Sequence, residues 1–417
     1  MYYNSHNQRE IYKLVEKLAS GEFKSELDFL KSLVEDIVNH PEFNIIGGRV
    51  WALNTEERAY RLTYQYGNMK RIPDDYMMEI DALPVLADLP EIHTSLQRET
   101  DSVLLERGIE VYSVTGVGDL VKLGEKKFYK YLLGFNASEM MQSFFETLNI
   151  ISSVATVALR DLSAKQEQIK LRRDLNKAGE IQRNLIPEHY LEFHDYKVYG
   201  VCIPDSDIGG DYFDYLKNLS YEEERLGILI SDAASKGLSA SIQALFVAGA
   251  VRMAQYFSPK ISTMLYRLNT LIFKAFPYER FVTLFYCELT LSSNRLVVYA
   301  NAGHCSPIHY RPSTDKATFL NPTGGLLGIV KEQKFRVENI SMSPGDLLIL
   351  YTDGIIEAQN KNEEFYGEGR IIEMARKLNS KTSKEIALSI LEDVQKFSSE
   401  NTYSDDRTLV VIKRDEV

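Results

Sequence analysis

Aspartates stand at the ends of apolar, β-rich segments, and this placement is the first feature of the sequence that could do chemistry. Asp232 ends RLGILISDA, Asp353 ends GDLLILYTDG, and Asp405 with Asp406 precedes TLVVIKR. Asp211 follows a strand predicted to end near Pro204. An apolar strand carries its terminal carboxylate to the edge of a sheet, and carboxylates that converge there repel one another unless a cation lies among them. The pattern predicts a cation site.

Oxygen ligands of this kind select hard divalent ions, Mg²⁺ or Mn²⁺, over zinc. Two ions bridged by an aspartate can hold a hydroxide that attacks a phosphorus atom in line with the leaving oxygen. No side-chain nucleophile is then needed. For each aspartate taken singly, a turn or a helix cap explains the residue about as well. The four together favour the metal site.

The stretch IPDSDIGGDYFDYL poses the same choice locally. As a tight turn, it would place Gly209 and Gly210 at positive φ, with Asp211 as a turn residue. As part of a metal site, it would present Asp211 as a ligand. The stretch alone favours the turn, and the remaining strand-end aspartates favour the ligand.

Beyond Pro187, apolar β-rich runs alternate with helical ones, which predicts one sizeable α/β domain over residues 188–417. The predicted strands are YKVYGVCIP, RLGILISDA, FVTLFYCEL, RLVVYANAG, DLLILYTDG and TLVVIKR. The predicted helices are GLSASIQALFVAGAVRMAQYF, PKISTMLYRLNTLIFKAF and SKEIALSILEDVQKFS.

Residues 1–136 predict an α+β domain with one antiparallel sheet covered by helices. A helix is predicted over Ser25–Val38, and strands over FNIIGGRVWALN, RAYRLTYQYG, GIEVYSVTG and KKFYKYLLGFNA. This order of elements resembles a GAF-type sensor domain, a family whose sheet often cups a small ligand. Trp51 and the tyrosines at 60, 64 and 66 could line such a cup or simply form the core. The partner expected here is an unknown ligand or protein.

Between Ala137 and Pro187 the chain has no helix breaker except Gly179, which predicts a long connecting helix over residues 137–187. Its apolar residues form two heptad-like stripes that do not share one phase. The first contains Leu148, Ile151, Ala155, Ala158, Leu162 and Ile169, and the second contains Leu171, Leu175, Ala178, Gln182 and Leu185. A parallel coiled-coil homodimer is the favoured interpretation, and packing of the helix on its own domain is the alternative.

Composition narrows the classes of protein further. The net charge of −11, without a block of Lys and Arg, argues against nucleic-acid binding. Three dispersed cysteines offer no zinc spacing and predict free thiols in a reducing compartment. We find neither a signal-peptide pattern nor a membrane-spanning apolar run in the sequence. The expected location is cytoplasmic.

Six ordered motifs resemble a known family, the bacterial metal-dependent protein serine/threonine phosphatases of the SpoIIE and RsbU type. They are IGGDYFDYL, ISDAASKGLSASIQALF, YANAGHCSP, PTGGLLGI, GDLLILYTDGIIEAQN and YSDDRTLVVIKR. The segment DLNKAGEIQRNLIP resembles the lead into that domain. The expected fold class is therefore α+β: a C-terminal PP2C-like αββα sandwich, an N-terminal GAF-like domain and the connecting helix.

The resemblance also implies roles for individual residues. Asp232 is similar to the ligand that bridges two Mn²⁺ or Mg²⁺ ions, and the carbonyl of Ala233 completes one coordination shell. Asp353 and Asp405 resemble ligands of the second ion. Asp211 resembles the acid that holds the first ion, partly through water. Asp406 resembles a residue that supports the ligands from behind.

Two residues depart from the family pattern. Ala234 replaces a histidine that serves as general acid in the eukaryotic branch, so a water molecule or another group must protonate the leaving oxygen. Ser235 replaces a common glycine and would strain the loop if that position requires positive φ. His304 lies inside the motif NAGHCSP, where a structural role is favoured over contact with substrate.

The expected activity is metal-dependent hydrolysis of phosphoserine or phosphothreonine on a protein, controlled by the N-terminal domain. The resemblance implies a phosphorylated anti-sigma-factor antagonist as the substrate. One alternative is a catalytically degenerate domain that acts as a signal-dependent binding module. A second is a GGDEF-type nucleotide cyclase, because the motif of that family also contains the Gly-Gly-Asp found at residues 209–211. The cyclase is disfavoured because Tyr212 and Phe213 stand where a second acid is needed.

Overall fold

The structure, a computed structural model, describes residues 23–41, 43–97, 112–137, 142–219, 224–277, 279–290, 296–399 and 405–415. The chain divides into two compact units, Met1–Leu171 and Arg172–Val417. In the described ranges, no helix combines the length and apolarity needed to cross a membrane.

The N-terminal unit contains an antiparallel sheet with the strand order β3-β2-β1-β6-β5-β4. Its strands are β1 Ile45–Asn54, β2 Ala59–Gly67, β3 Met77–Glu79, β4 Thr94–Gln97, β5 Tyr112–Leu123 and β6 Lys126–Ala137. The predicted turn at Asn54 is confirmed, since its Oδ1 accepts hydrogen bonds from the N–H groups of Glu56 and Glu57. Residues 108–111 of the predicted strand GIEVYSVTG lie outside the described residues.

Helices cover both faces of this sheet. Helix α1, Glu26–Asn39, begins at Ser25, whose hydroxyl caps the N–H of Asp28. The apolar face of α1 packs on one face of the sheet together with residues of α3, Gln142–Leu185. Helix α2, Val85–Ile92, packs on the opposite face, where Trp51 and Tyr60 are buried. The sheet is therefore buried on both sides.

The first apolar stripe of α3 belongs to the N-terminal core. Leu148, Ile151 and Ala155 are fully buried among residues of α1 and the sheet. A dimer seam through these three residues is therefore wrong, because their side chains are already covered by their own unit. Ile169 and Leu171 are more than half exposed. The dimer itself stays a prediction that rests on this exposed part of the helix.

The C-terminal unit contains two antiparallel sheets. The five-stranded sheet has the order β15-β12-β11-β10-β9, and the six-stranded sheet has the order β14-β13-β16-β17-β8-β7. The strands are β7 Tyr190–Phe193, β8 Tyr196–Ile203, β9 Tyr212–Leu219, β10 Glu224–Ala233, β11 Val282–Thr290, β12 Leu296–Ala302, β13 Ile308–Arg311, β14 Lys316–Phe319, β15 Glu338–Ser341, β16 Leu347–Tyr351 and β17 Arg407–Arg414. The six predicted strands of this unit are confirmed.

Helices flank the two sheets on their outer faces. Helices α4, Leu238–Gln255, and α5, Ile261–Ala275, pack on the five-stranded sheet. Helices α7, Gly367–Leu378, and α8, Ser383–Phe397, pack on the six-stranded sheet. Between them in the chain lies the short α6, Asp353–Ile356. A separate apolar cluster fills the space between the sheets. The layers therefore follow the expected αββα order.

The stretch IPDSDIGGDYFDYL differs from its interpretation as a tight turn. Gly209 and Gly210 are not at positive φ, and Asp211 directly precedes β9 rather than closing β8. An added Cβ would lie 2.6 Å from Asp406 Oδ2 at Gly209 and 2.9 Å from the Ala240 Cβ at Gly210. These glycines are needed because neighbouring groups approach the backbone closely.

Candidate metal centre

A pocket of about 250 Å³ in the C-terminal unit gathers the strand-end acids. Asp232 comes from β10, Asp353 from the start of α6, and Asp405 from the residues before β17. The other lining residues are Asp205, Ser206, Ile208, Ala233, Ala234, Ser235, Lys236, Gly237 and Asp406. Among these described lining residues, Lys236 is the only one with a cationic side chain. The acids are therefore brought together by separate parts of the chain, as the strand pattern predicts.

Asp211 is buried beside this pocket and is held by the six-stranded sheet. Its Oδ2 accepts a 2.7 Å hydrogen bond from the Thr352 hydroxyl, whose oxygen in turn accepts from the N–H of Thr408. Burial, followed by the nearby charge of Asp232, holds the pKa of Asp211 well above its usual range. Thr352, which sequence reasoning missed, therefore fixes the position of one proposed ligand.

The other acids repel one another in the same way. Burial, followed by the charges of Asp353 and Asp405, raises the pKa of Asp232 to about 7. Burial and Asp405 also raise the pKa of Asp353. Glu357, in the motif GIIEAQN, has its pKa raised by burial and by Asp353, and sequence reasoning did not single it out. These acids therefore resist ionisation, as expected where carboxylates are crowded together without a cation among them.

Asp405 and Asp406, although adjacent, have different partners. Asp405 lies 3.0 Å from the Lys236 Nζ through its Oδ2. Asp406 accepts hydrogen bonds from the backbone of the loop between β8 and β9: its Oδ1 from the N–H of Asp205 and its Oδ2 from the N–H of Gly210. Asp406 therefore holds the loop that leads to Asp211, which agrees with the supporting role implied by the resemblance.

The end of α3 contacts the same loop. The Gln182 side chain donates to the carbonyl of Gly209 at 2.7 Å and accepts from its N–H at 3.1 Å. Arg252 of α4 donates to the carbonyl of Leu185, the last residue of α3, and to the buried carboxylate of Asp214 on β9. The loop before Asp211 is therefore held by Asp406 on one side and by the last turn of α3 on the other.

The turn after β10 carries the two departures from the family pattern. Ser235 is not at positive φ, so the predicted strain is wrong. Instead, Gly237 has φ of 63°, and the Ser235 hydroxyl donates to Gln243. The carbonyl of Ala233 accepts from the Ser235 N–H and has a second lone pair for another contact. Ala234 lines the pocket and offers no proton donor.

His304 is buried, as the structural role favoured from the sequence would require. It is 3% exposed, and its backbone N–H donates to Asn301. Its Nδ1 lies 2.9 Å from the Thr283 hydroxyl. Burial lowers the pKa of His304 to about 4, so the ring is neutral at physiological pH. The neighbouring Cys305 is a free thiol whose pKa is raised to about 12 by burial, and then by Asp353 and Asp232.

The donor chemistry of this pocket fits hard divalent cations. Its ligating groups are carboxylate oxygens, and their mutual repulsion is relieved when a cation lies among them. As the side chains stand in the described part of the chain, no three His, Cys, Asp or Glu residues are arranged closely enough to hold an ion. The carboxylate of Asp405 is at the same time paired with the Lys236 ammonium group.

Comparison with known proteins finds similar sequences. Residues 222–415 match the family model described as Stage II sporulation protein E (SpoIIE). The phosphoserine phosphatase RsbU of Bacillus subtilis is 22% identical over 247 residues, which are 59% of this chain and 72% of RsbU. Protein IcfG of Synechocystis sp. is 25% identical over 405 residues, which are 88% of this chain and 59% of IcfG.

A solved structure shares the fold. The SiaA-PP2C domain of Pseudomonas aeruginosa superposes with a TM-score of 0.50 at 18% identity, and the match covers 60% of this chain and 99% of that domain. Together with the layer order, these similarities define the class: a mixed α/β domain with the PP2C-like fold. More particularly, residues 222–415 are similar to the SpoIIE family of phosphatase domains.

Proposed function

We propose that the C-terminal unit hydrolyses phosphoserine or phosphothreonine on a protein, and that this reaction depends on Mn²⁺ or Mg²⁺. The observation that carries the proposal is the pocket in which Asp232, Asp353 and Asp405 meet beside the buried Asp211, within a SpoIIE-type domain. These four acids and the carbonyl of Ala233 are the proposed ligands of two ions. Divalent ions, when bound, supply Lewis-acid stabilisation of the phosphoryl charge and lower the pKa of water.

The protein side chains have separate tasks in this proposal. Thr352 and Asp406 fix the position of the proposed ligand Asp211. Thr352 holds the Asp211 carboxylate, and Asp406 holds the loop that leads to it. Lys236 is the cation at the pocket wall and can contact a phosphoryl oxygen once it leaves Asp405. With alanine at position 234, protonation of the leaving oxygen falls to water or to another acid such as Glu357.

Release of phosphate from a phosphoserine peptide by the full chain tests the activity. We expect turnover with Mn²⁺ or Mg²⁺ and none after chelation. Asp232→Asn and Asp353→Asn should each reduce turnover at least about a hundredfold, since each removes a charge from the metal site. Glu332→Gln, an exposed acid outside the pocket, is the matched control and should keep full activity. Wild-type turnover in either aspartate variant at saturating metal would overturn the proposed site.

A degenerate domain that only binds a partner is the second candidate. It is favoured by Ala234, whose side chain lines the pocket and offers no proton donor for the leaving oxygen. The same assay separates the two functions. A folded wild-type protein that binds Mn²⁺ but never releases phosphate would support the binding module.

The proposed substrate is a phosphorylated anti-sigma-factor antagonist. The support is the family resemblance and the similarity to RsbU, while the pocket residues themselves select only a phosphoryl group. Incubation with phosphorylated single-domain antagonists and with unrelated phosphoproteins is the test. Preferential processing of the unrelated proteins would contradict this substrate class.

Control by the N-terminal unit is proposed through α3. The last turn of this helix holds the loop that leads to Asp211 through the two Gln182 hydrogen bonds. A ligand or partner that changes the helix would therefore change the loop, and with it the position of a proposed metal ligand. The proposed assembly is a homodimer through the exposed part of α3.

A further inference from the structure

Arg49, on β1 of the N-terminal unit, is a buried cation with unused hydrogen-bond donors. Arg49 as a whole residue is 3% exposed. Nη1 donates to the Asn136 Oδ1 at 2.5 Å, and Nη2 donates to the carbonyl of Lys70 at 3.1 Å. Among the described residues, the buried Nε has no hydrogen-bond partner. A guanidinium has five N–H donors, and hydrogen bonds to the described residues use two of them.

No carboxylate in the described part of the chain pairs with this guanidinium, and both of its acceptors are neutral amide oxygens. Burial lowers the pKa of Arg49 to about 10, so the side chain still carries its charge at neutral pH. An uncompensated buried charge is strongly unfavourable. An anion beside Arg49 would remove this penalty.

Arg49 lines a small apolar pocket, and this pocket limits the size and the chemistry of an anion that could bind there. Trp51, Met78, Leu83, Leu86 and Val114 line it. The pocket has a volume of about 30 Å³, roughly two to three times what a single water requires. Gly134 also lines it, and a Cβ built there would stay 3.7 Å from the Trp51 Nε1. The pocket therefore has room for a few atoms and favours carbon against its walls.

We propose that the N-terminal unit binds a small organic monocarboxylate of about acetate size. The carboxylate would accept hydrogen bonds from Arg49, and the carbon chain would lie against Trp51 and Leu86. A charge-assisted pair of this kind is strong where water is excluded. The binding site is independent of the phosphatase reaction, whereas a role of this ligand as the controlling signal rests on the function proposed above.

Trp51 is the only tryptophan in the chain, so its fluorescence reports directly on this pocket. The full chain is titrated with sodium acetate, propionate and butyrate, and separately with sodium chloride, at constant ionic strength and pH. We expect a saturable change of Trp51 emission with at least one carboxylate and none with chloride. No saturable change, or an equal response to chloride, would overturn the assignment.

Variants assign the binding to Arg49. Arg49→Met should weaken binding by roughly tenfold or more, because charged hydrogen bonds are lost, while Arg61→Met, which removes an exposed arginine of the neighbouring strand, should leave it unchanged. Gly134→Ala keeps the charge and fills part of the pocket, so it should also weaken binding. Wild-type affinity in both Arg49→Met and Gly134→Ala would overturn the proposal. If Arg49→Met does not fold, Gly134→Ala decides alone.

Discussion

Individual residues of the C-terminal pocket divide into acids that crowd one another and groups that hold them. Asp211, Asp232 and Asp353 all have raised pKa values because burial and like charges disfavour ionisation. Thr352 and Asp406 act by hydrogen bonding to Asp211 and to its loop. Repulsion between the crowded acids lowers the free energy of unfolding, and a bound cation would raise it again. The charge and the position of each acid can therefore be tested by single substitutions.

The metal-free protein should lose stability as the pH rises from about 4 to about 7. The pKa of Asp232 is raised from 3.8 to about 7, so over this window the folded state holds a proton that the unfolded state releases. Rising pH therefore lowers the free energy of unfolding, by up to about 1.4 kcal/mol for each pH unit within the window. Denaturant unfolding in chelator at several pH values measures this.

Asp232→Asn should flatten that pH dependence, and so should saturating Mn²⁺, which replaces the proton by a cation. Stability that is constant or increases between about pH 5 and pH 7 in chelator would contradict the crowding of these acids.

Asp406 should control metal affinity more than turnover. Asp406→Ala leaves the N–H groups of Asp205 and Gly210 without their acceptor, a loss of about 1–3 kcal/mol, whereas Asp406→Asn keeps one acceptor oxygen. Metal titrations of activity should give an apparent affinity that falls from wild type to Asn to Ala, with smaller changes of kcat at saturating metal. An Asp406→Ala enzyme with unchanged metal affinity and reduced kcat would instead indicate direct participation in the reaction.

At the scale of elements, the loop between β8 and β9 is tied to two distant parts of the chain. It is bound by Asp406 ahead of β17 and by Gln182 at the end of α3. Gly209 and Gly210 allow this because larger side chains would collide with Asp406 and Ala240. The last turn of α3 and the strand that follows the loop are thus parts of one hydrogen-bonded assembly.

Gln182→Ala should therefore raise the metal concentration needed for half-maximal activity by roughly tenfold, since it removes two buried hydrogen bonds from the loop. Gln168→Ala, an exposed position on the same helix, is the matched control and should behave as wild type. Equal metal dependence of the two variants would show that the end of α3 does not influence the site.

The sequence predicts the apolar strands and long helices because their periodicity is local. It does not predict β9, because Asp214 interrupts that strand with an acid whose partner, Arg252, lies on α4. The convergence of Asp232, Asp353 and Asp405 follows from their places at strand ends. The tasks of Thr352, Gln182 and Asp406 depend on hydrogen bonds to distant parts of the chain, which spacing alone does not reveal.

At the scale of the whole molecule, α3 contributes residues to both units, and the boundary between the units falls within it. Its first half supplies Leu148, Ile151 and Ala155 to the N-terminal core. Removal of residues 1–136 alone would expose these side chains. A truncated chain that begins at Arg172 is therefore the better test of the C-terminal unit.

We expect the chain that begins at Arg172 to fold, and to differ from the full chain in rate or metal requirement. The measurement is phosphate release against metal concentration for both proteins. The same rate and the same metal dependence in both would contradict control by the N-terminal unit.

The full chain should be a dimer, and Ile169→Glu with Leu171→Glu should make it monomeric without changing its thermal stability. Both side chains are more than half exposed, so the charges disturb only a contact between chains. Sedimentation of the two proteins is the measurement, with Ala164→Glu, at an exposed position of the same helix, as the control. A wild-type monomer would end the dimer hypothesis.

The acids of the pocket, in addition to burial, also disfavour ionisation of the Cys305 thiol. With a pKa raised to about 12, Cys305 is almost entirely a protonated thiol at neutral pH, and thiols in that form react slowly with alkylating agents and oxidants. A cation that neutralises Asp353 and Asp232 would remove part of the field that suppresses the thiolate. The rate at which Cys305 is alkylated should therefore rise when Mg²⁺ binds, which would make this cysteine a chemical sensor of metal occupancy.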